Sequence, residues 1–490
     1  FSVLATCTSD YANLTSVSYQ WQLAPKGSTT WTNIAGATSA VYSTSLLGLA
    51  DNGTQLRVIA GVVPISATSS VATLTVLADT NPPVVSVGAM MDPTPGTVDV
   101  GVGFNKTVDD VAGSSLSNYK ISSGTITSLT WCTNRFTADS QNPFVMVRKQ
   151  SALLTVTGLS GSATLTVMNM TDTYGNKLIS TNVPFTVASK MSWGVVGANQ
   201  LGGWNAAVPV GPNGFDVYSD GIAEYGTYDE ATFVYEKVTG DFDKKLRVEY
   251  QDGSSQYARA GLVVRDVLNF GVDSATQTGT TPTGTGTTPP YNGTAGRYQK
   301  CHVDPVGLCL TLNAGAPVLG NASWEGNRRL DTGGATTSGL TNNVNAVPQY
   351  PNAWCRIQRV GQTFTIYRSD DGVSWETLGA TTWPDPADPS ATSMPNTVYV
   401  GPEFSPETGN VTLPADRGTF LAQFRDYGDF AFNPQLTIGF SAGKVTITWA
   451  AGTLVSSPTV NGTYAPVLGA ISPYVVSPPT GPAMFYRIMQ

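Results

Sequence analysis

The chain has 490 residues, enough for three or four domains at ~150 residues each, yet only 12% of them are charged against a usual ~25%. A net charge of −8 and a pI near 4.7 argue against nucleic acid and anionic membrane as partners, and 41% hydrophobic content excludes global disorder. One His argues against multi-His metal sets and His-based catalysis, while no apolar run approaches the ~18 residues of a membrane-spanning helix.

Residues 1–80 alternate apolar and polar positions, with turn signals every 8–12 residues, the pattern of a β-sandwich. Phe1, Val3 and Ala5 point one way, Tyr19 and Trp21 follow, and Leu74 and Val76 close the unit. Trp21, together with Asp51-Asn52-Gly53-Thr54 before Leu56 and Val58, resembles an immunoglobulin-like domain with its core Trp and the corner before its sixth strand. The usual disulfide is missing, since Ala5, Val58 and Ile59 stand on the strands that would carry it and Cys7 has no evident partner in the domain. Such a domain also has a strand before Phe1-Val3-Ala5. That strand is either removed in processing or supplied by another chain. In the second case the flat, uncharged edge carrying Phe1, Val3 and Ala5 becomes an assembly edge.

Asn81-Pro82-Pro83 marks a stiff boundary, because Pro fixes its own φ and restrains its predecessor. Residues 81–189 carry strand patterns at Val98–Phe104, Ser151–Leu159, Ala163–Val167 and Val183–Val187. The segments Val102–Val108 and Asp172-Thr173-Tyr174-Gly175-Asn176-Lys177 resemble bacterial Ig-like domains of surface and S-layer proteins, in which the second segment is a tight turn before the last strand.

Residues 190–430 are the largest unit. Gly240–Asp243, Leu246–Glu249, Ala260–Asp266, Trp354–Gly361, Val398–Gly401 and Ala422–Asp426 follow one another in an order that resembles a concanavalin-A-like (LamG-type) jelly roll. Residues 273–297, dominated by Thr, Gly and Pro, read as a surface loop inserted into that unit, and the Gly-rich stretch 333–346 reads as another. Residues 431–490 resemble a small C-terminal β module of secreted bacterial proteins, with Leu436–Phe440 and Val445–Trp449 as a hairpin. The fold class expected is therefore all-β: tandem immunoglobulin-like sandwiches, a concanavalin-A-like jelly roll and a small C-terminal β domain.

Few motifs carry chemistry. Ser369–Trp375 lies one residue short of an Asp-box and reads as a hairpin turn with Trp375 beneath it. Asp241, Asp243, Glu249, Glu325 and Asp426 form no paired-carboxylate strand of the kind jelly-roll glucanases carry, so no catalytic residue is expected and the chain reads as no enzyme. Cys301 and Cys309 flank a hairpin-like turn that would join them in a disulfide; a metal site with His302 lacks further ligands, and neither metal nor cofactor is expected. Trp204, Trp324 and Trp383 lie in or near loops and are the candidates for stacking on sugar rings. The function expected is that of an extracellular or cell-surface structural or adhesive protein, a homo-oligomer or filament built by strand pairing. The alternative is a lectin-like protein that binds polysaccharide through the jelly roll.

Overall fold

The computed structural model describes the chain outside residues 6–16, 43, 45–46, 63–64, 135–147, 198–203, 222–223, 226–227, 271–296, 306–307, 310–317, 320, 332–335, 341–346, 385–391, 408–418, 431–435, 442–443, 450–452, 461, 477–483 and 490. Cys7 and nearly all of the Thr/Gly/Pro-rich insertion lie outside the described residues. The protein is almost wholly β, and its one described α-helix, Asp110–Gly113, is a single turn capped by the Asp109 carboxylate. Two compact units divide the chain, one built chiefly from Phe1–Pro82 and the other holding nearly all the rest.

In the first unit one five-stranded sheet is seen among the described residues. Ser18–Ala24 pairs on one side with Thr32–Asn33 and on the other with Gln55–Val62, which in turn pairs with Ile65–Thr68 and Ala72–Thr73. Trp21 lies in register with Val58 and is buried with Leu56, because alternation sends these three to the same face. The segment Phe1–Ala5, read from the sequence as a flat edge strand, is bonded on one side. Ser2 makes only an isolated bridge with Val41, and the main chain of Phe1 and Val3 is bonded to Tyr42 and Ala40. Phe1 leans towards Trp21 at 6.4 Å between ring centroids yet stays 42% exposed, Val3 and Ala5 are half-buried, and Leu4 is 93% exposed. Among the described residues Ile65–Thr68 is one margin of the sheet and is exposed along its length.

The second unit begins with a seven-stranded sheet over residues 85–188. Its first strand, Val85–Met91, lies beside its last, Lys177–Ala188, and the two run parallel, with Val187 opposite Ala89 and Ala188 opposite Met90. Val87, Val98, Val100, Leu154, Leu165 and Val167 form its core. Gly175, at φ +87°, turns the chain between Thr171 and Lys177, a conformation that glycine adopts without the penalty a Cβ brings.

A larger body follows, in which two seven-stranded antiparallel sheets face each other. One runs Met191–Val196, Ala231–Thr239, Thr397–Ser405, Arg259–Arg265, Tyr298–Val303, Trp324–Arg329 and Thr337–Leu340. The other runs Ala206–Val210, Gly214–Ser219, Phe420–Asp429, Phe242–Gln251, Ala353–Val360, Thr363–Ser369 and Glu376–Thr382. Inward positions from both, including Leu246, Val248, Leu262, Val264, Ile357 and Phe424, make one continuous core. Thr337–Leu340, within the stretch read as a loop, pairs along the sheet margin and occupies bonds that would otherwise be open.

The sheet over 85–188 and this body pack without side chains between parts of their main chains. A Cβ on Gly101 would stand 2.1 Å from the Pro209 carbonyl oxygen, and one on Gly88 2.4 Å from that of Gly211. Cys132 and Leu153 are buried against Val208, Val210, Tyr218 and Leu421. Trp193 Nε1 donates to Asp99 Oδ2 at 2.8 Å across the same seam, and Ser151 Oγ donates to Asp216 Oδ2 at 2.9 Å. At the C-terminus, two three-stranded sheets enclose Ile447, Trp449, Leu454 and Ile488. Leu436–Ser441, the margin of one of them, leaves Ile438 and Phe440 exposed.

Candidate functional site

Alternation along Arg259–Arg265 sends Ala260, Leu262 and Val264 into the core and leaves Arg259, Val263 and Arg265 on the opposite face of their sheet. The same rule places Lys300 and His302 on that face from Tyr298–Val303, and Glu325, Asn327 and Arg329 from Trp324–Arg329. Such a face would ordinarily be wet. Here it is covered, and Arg265, Lys300, Arg329, His302 and Glu403 are all 0% exposed.

Four cations and four carboxylates pair with one another there. Arg265 reaches Glu224 and Glu403, each at 3.1 Å, and also bonds Asp229. Lys300 bonds Glu224 and lies 3.1 Å from Glu403, Arg329 meets Asp229 at 2.7 Å, and Arg259 bonds Glu407. The Arg265 and Arg329 guanidiniums also lie over the Tyr298 ring, at 5.4 and 5.0 Å from its centroid. Burial and the neighbouring Glu224 push the Glu403 carboxyl up. Burial also resists ionisation of Glu224, but Lys300 and Arg265 outweigh it and hold that carboxyl down. Two carboxylates driven apart in this way are the usual signature of an acid–base pair. This pair is buried among its own counter-ions, with Glu224 and Glu403 both at 0% exposure.

Beside the network sits a smaller group. His302 Nε2 lies 3.6 Å from Asp304 Oδ1 and 3.5 Å from Glu325 Oε2, and these ligand-type atoms fall within 4.8 Å of one another. Ser323 Oγ donates to Asp304 Oδ2 at 2.8 Å, but neither ring nitrogen of His302 has a hydrogen-bond partner. Burial lowers the His302 pKa to about 4, so the ring is neutral at pH 7. Gly261, opposite His302 in register, leaves room for the ring's backbone: a Cβ there would stand 2.6 Å from the Cα of His302. Asn327, two residues from Glu325, is likewise buried with both side-chain polar atoms unpartnered.

The residues singled out in the sequence lie elsewhere, with Glu325 the exception. Asp243 is clamped by Arg356 (2.7 and 2.5 Å), Asp241 accepts from the Gly361 N–H at 2.7 Å, Asp426 bonds Arg247 at 2.7 Å, and Glu249 lies 3.3 Å from Arg425. Trp324 and Trp383 are in the core at 0% and 1% exposure, Trp383 edge-on to Phe364 at 5.1 Å, and neither offers an open face to a sugar. Trp204, 40% exposed, packs on Tyr218 at 5.2 Å and keeps one side open. The expected Cys301–Cys309 disulfide is not formed, and both thiols are buried and unbridged. Cys301 points between the two large sheets towards the Tyr367 carbonyl, whereas Cys309 belongs to the separate ribbon of Leu308–Cys309 and Val318–Leu319. At Ser369–Trp375 the Ser369 hydroxyl accepts from the N–H groups of Asp371 and Gly372, and Asp371 Oδ1 from those of Val373 and Ser374. This is a turn with its bonds closed internally, lining a surface pocket of about 300 Å³. Sequence reasoning missed Glu224, Asp229, Arg259, Arg265, Lys300 and Glu403; Arg259 and Arg265 carry the local signal of charge at alternate positions of an otherwise apolar strand, whereas Glu224 and Asp229 lie in two-residue strands with none.

No protein-family model matches the chain, and no curated protein does. Among solved structures, a functionally unknown protein from Saccharomyces cerevisiae aligns at TM-score 0.30 and 12% identity, over 49% of this chain and 96% of its own. Surface layer protein SbsC, domains 1–6, aligns at TM-score 0.17 and 10% identity over 84% of this chain and 67% of its own. A second structure of that S-layer protein gives TM-score 0.17 and 11% identity. Likeness at this level carries no argument about role.

Proposed function

We propose that the chain is a non-enzymatic structural protein of the extracellular surface, built of immunoglobulin-like and jelly-roll modules, that assembles with copies of itself by strand addition between its N-terminal immunoglobulin-like module and its small C-terminal β module. The observation that carries this reading is the pair of open edge strands near the two ends of the sequence. Ile65–Thr68 and Leu436–Ser441 are uncharged, each pairs with a single neighbour among the described residues, and both display apolar side chains: Ile65 is 77% exposed, Ile438 62% and Phe440 74%. Neither carries the Lys, Pro or bulge with which soluble proteins blunt such edges. Pairing one edge with the other on the next copy is heterologous, and a heterologous contact that does not close on itself propagates as a filament. The close packing of residues 85–430 supports the same reading, since it makes a stiff repeat unit. The polysaccharide-binding alternative is left with Trp204 alone of its three aromatics.

The test is negative-stain microscopy with sedimentation of the full chain, wild type against an Ile65→Lys/Ile438→Lys double variant. Filaments or large oligomers in the wild type, dispersed in the variant, are expected. A wild type that stays monomeric at high concentration, or a variant that assembles equally well, overturns the reading.

A further inference from the structure

We propose that His302, Asp304 and Glu325 hold a divalent transition-metal cation. An acidic pair by itself would carry nothing; the decisive feature is the imidazole. A ring nitrogen buried without a hydrogen-bond partner is costly, and His302 has two such atoms at 0% exposure. Nε2 faces two carboxylate oxygens, at 3.6 and 3.5 Å. Nε2 carries at most one hydrogen, so the ring can serve at most one of these oxygens through it. A cation between the three satisfies all of them at once, and imidazole with two carboxylates is a donor set that zinc and its first-row neighbours accept.

The surroundings fit a bound ion. Asp304 is steadied by the Ser323 hydroxyl through its other oxygen, the kind of outer bond that fixes a ligand's direction. Arg259, bonded to Glu407, is a nearby cation, and a divalent ion would add to the positive charge that faces Asp304 and Glu325. The Glu325 side chain is 15% exposed, which gives an ion a way in, and Asn327 brings unpartnered polar atoms to the same strand face. Three protein ligands leave at least one coordination position for water or for a polar group of a partner molecule.

Cobalt(II) is the probe, because its spectrum distinguishes these ligands from the buried thiols. The full chain is stripped with chelator, dialysed and titrated with CoCl₂, with Glu325→Gln and His302→Gln in parallel and a thermal melt for each protein. Expected are one Co²⁺ per chain, a visible ligand-field band without thiolate charge transfer, a raised melting temperature, and at least tenfold weaker binding in Glu325→Gln. Because Glu325 is partly exposed, that variant keeps the test valid even if His302→Gln does not fold. Absence of binding, a thiolate charge-transfer band, or unchanged affinity in Glu325→Gln overturns the proposal. None of these outcomes depends on whether the chain forms filaments.

Discussion

Replacing Gly101 with Ala puts a methyl group where the sheet over 85–188 meets the larger body. The new Cβ would lie 2.1 Å from Pro209 O, 2.7 Å from Val208 Cγ1 and 2.8 Å from Pro209 N, whereas ordinary contact begins near 3.4 Å. Two of these atoms are main chain and cannot turn aside, so the two bodies must part locally by about 1 Å or the strands must buckle. Overpacking of this kind costs ~1–3 kcal/mol, and for bodies of 150–250 residues that lowers Tm by roughly 2–10 °C. Gly428→Ala is the control, since a Cβ there meets nothing within 4 Å. Urea and thermal unfolding followed by Trp fluorescence read the difference. Limited proteolysis near residues 189–190 should show new cleavage in Gly101→Ala alone. If Gly101→Ala melts with the wild type and with Gly428→Ala, the seam is not a packed contact, and the stiffness attributed to it fails.

Asp99 sits in the same seam, buried with Oδ1 unpartnered, and burial raises its pKa to about 7. The unfolded chain loses this proton near pH 4, so rising pH between about 4 and 7 weakens the fold, by at most ~4 kcal/mol for three units. Asp99→Asn, which keeps an acceptor for Trp193, should therefore be more stable than wild type at pH 8 and equal to it near pH 4; a pH-independent difference would contradict this. Arg265→Met removes one cation from among Glu224, Asp229 and Glu403 and should cost ~3–5 kcal/mol, because it strands buried carboxylates; a neutral result in urea titration would mean that the network is wet. Trp383→Ala should lose ~3–5 kcal/mol, and Trp204→Ala less than 1, measured the same way.

Period-two alternation made the core legible: Leu246 with Val248, and Leu262 with Val264, face inward as a strand reading requires. The charged face was not legible. Arg265 and Lys300 alternate with apolar residues as solvent-facing positions do, and they are buried because Glu224 and Asp229, distant in sequence, come over that face. Trp324 and Trp383 resembled binding aromatics because they flank Gly- and Pro-rich stretches. Trp324 in fact begins an inner strand, and Trp383 folds back onto Phe364. Cys301 and Cys309 are close along the chain, but strand direction turns Cys301 inward and away from the ribbon that carries Cys309. Of the candidate site, Glu325 was named as a carboxylate and His302 as a metal ligand without partners. They could not be joined, because the pairing of His302 with Glu325 spans two strands.

The parallel pairing of Val85–Met91 with Lys177–Ala188 determines how this part of the chain bears tension. The two strands are the first and last of their sheet and lie side by side, so a pull applied at residue 85 and at residue 188 drags them in opposite directions along their own axes. The hydrogen bonds between them are then loaded in shear and share the force, whereas a hairpin pulled from its open end would give way one bond at a time. Val87 and Val187, buried at the same clamp, keep water from competing for those bonds. The joint that closes the sheet is therefore also the part placed to resist stretching, and the rate at which it slips would set the lifetime of the chain under load.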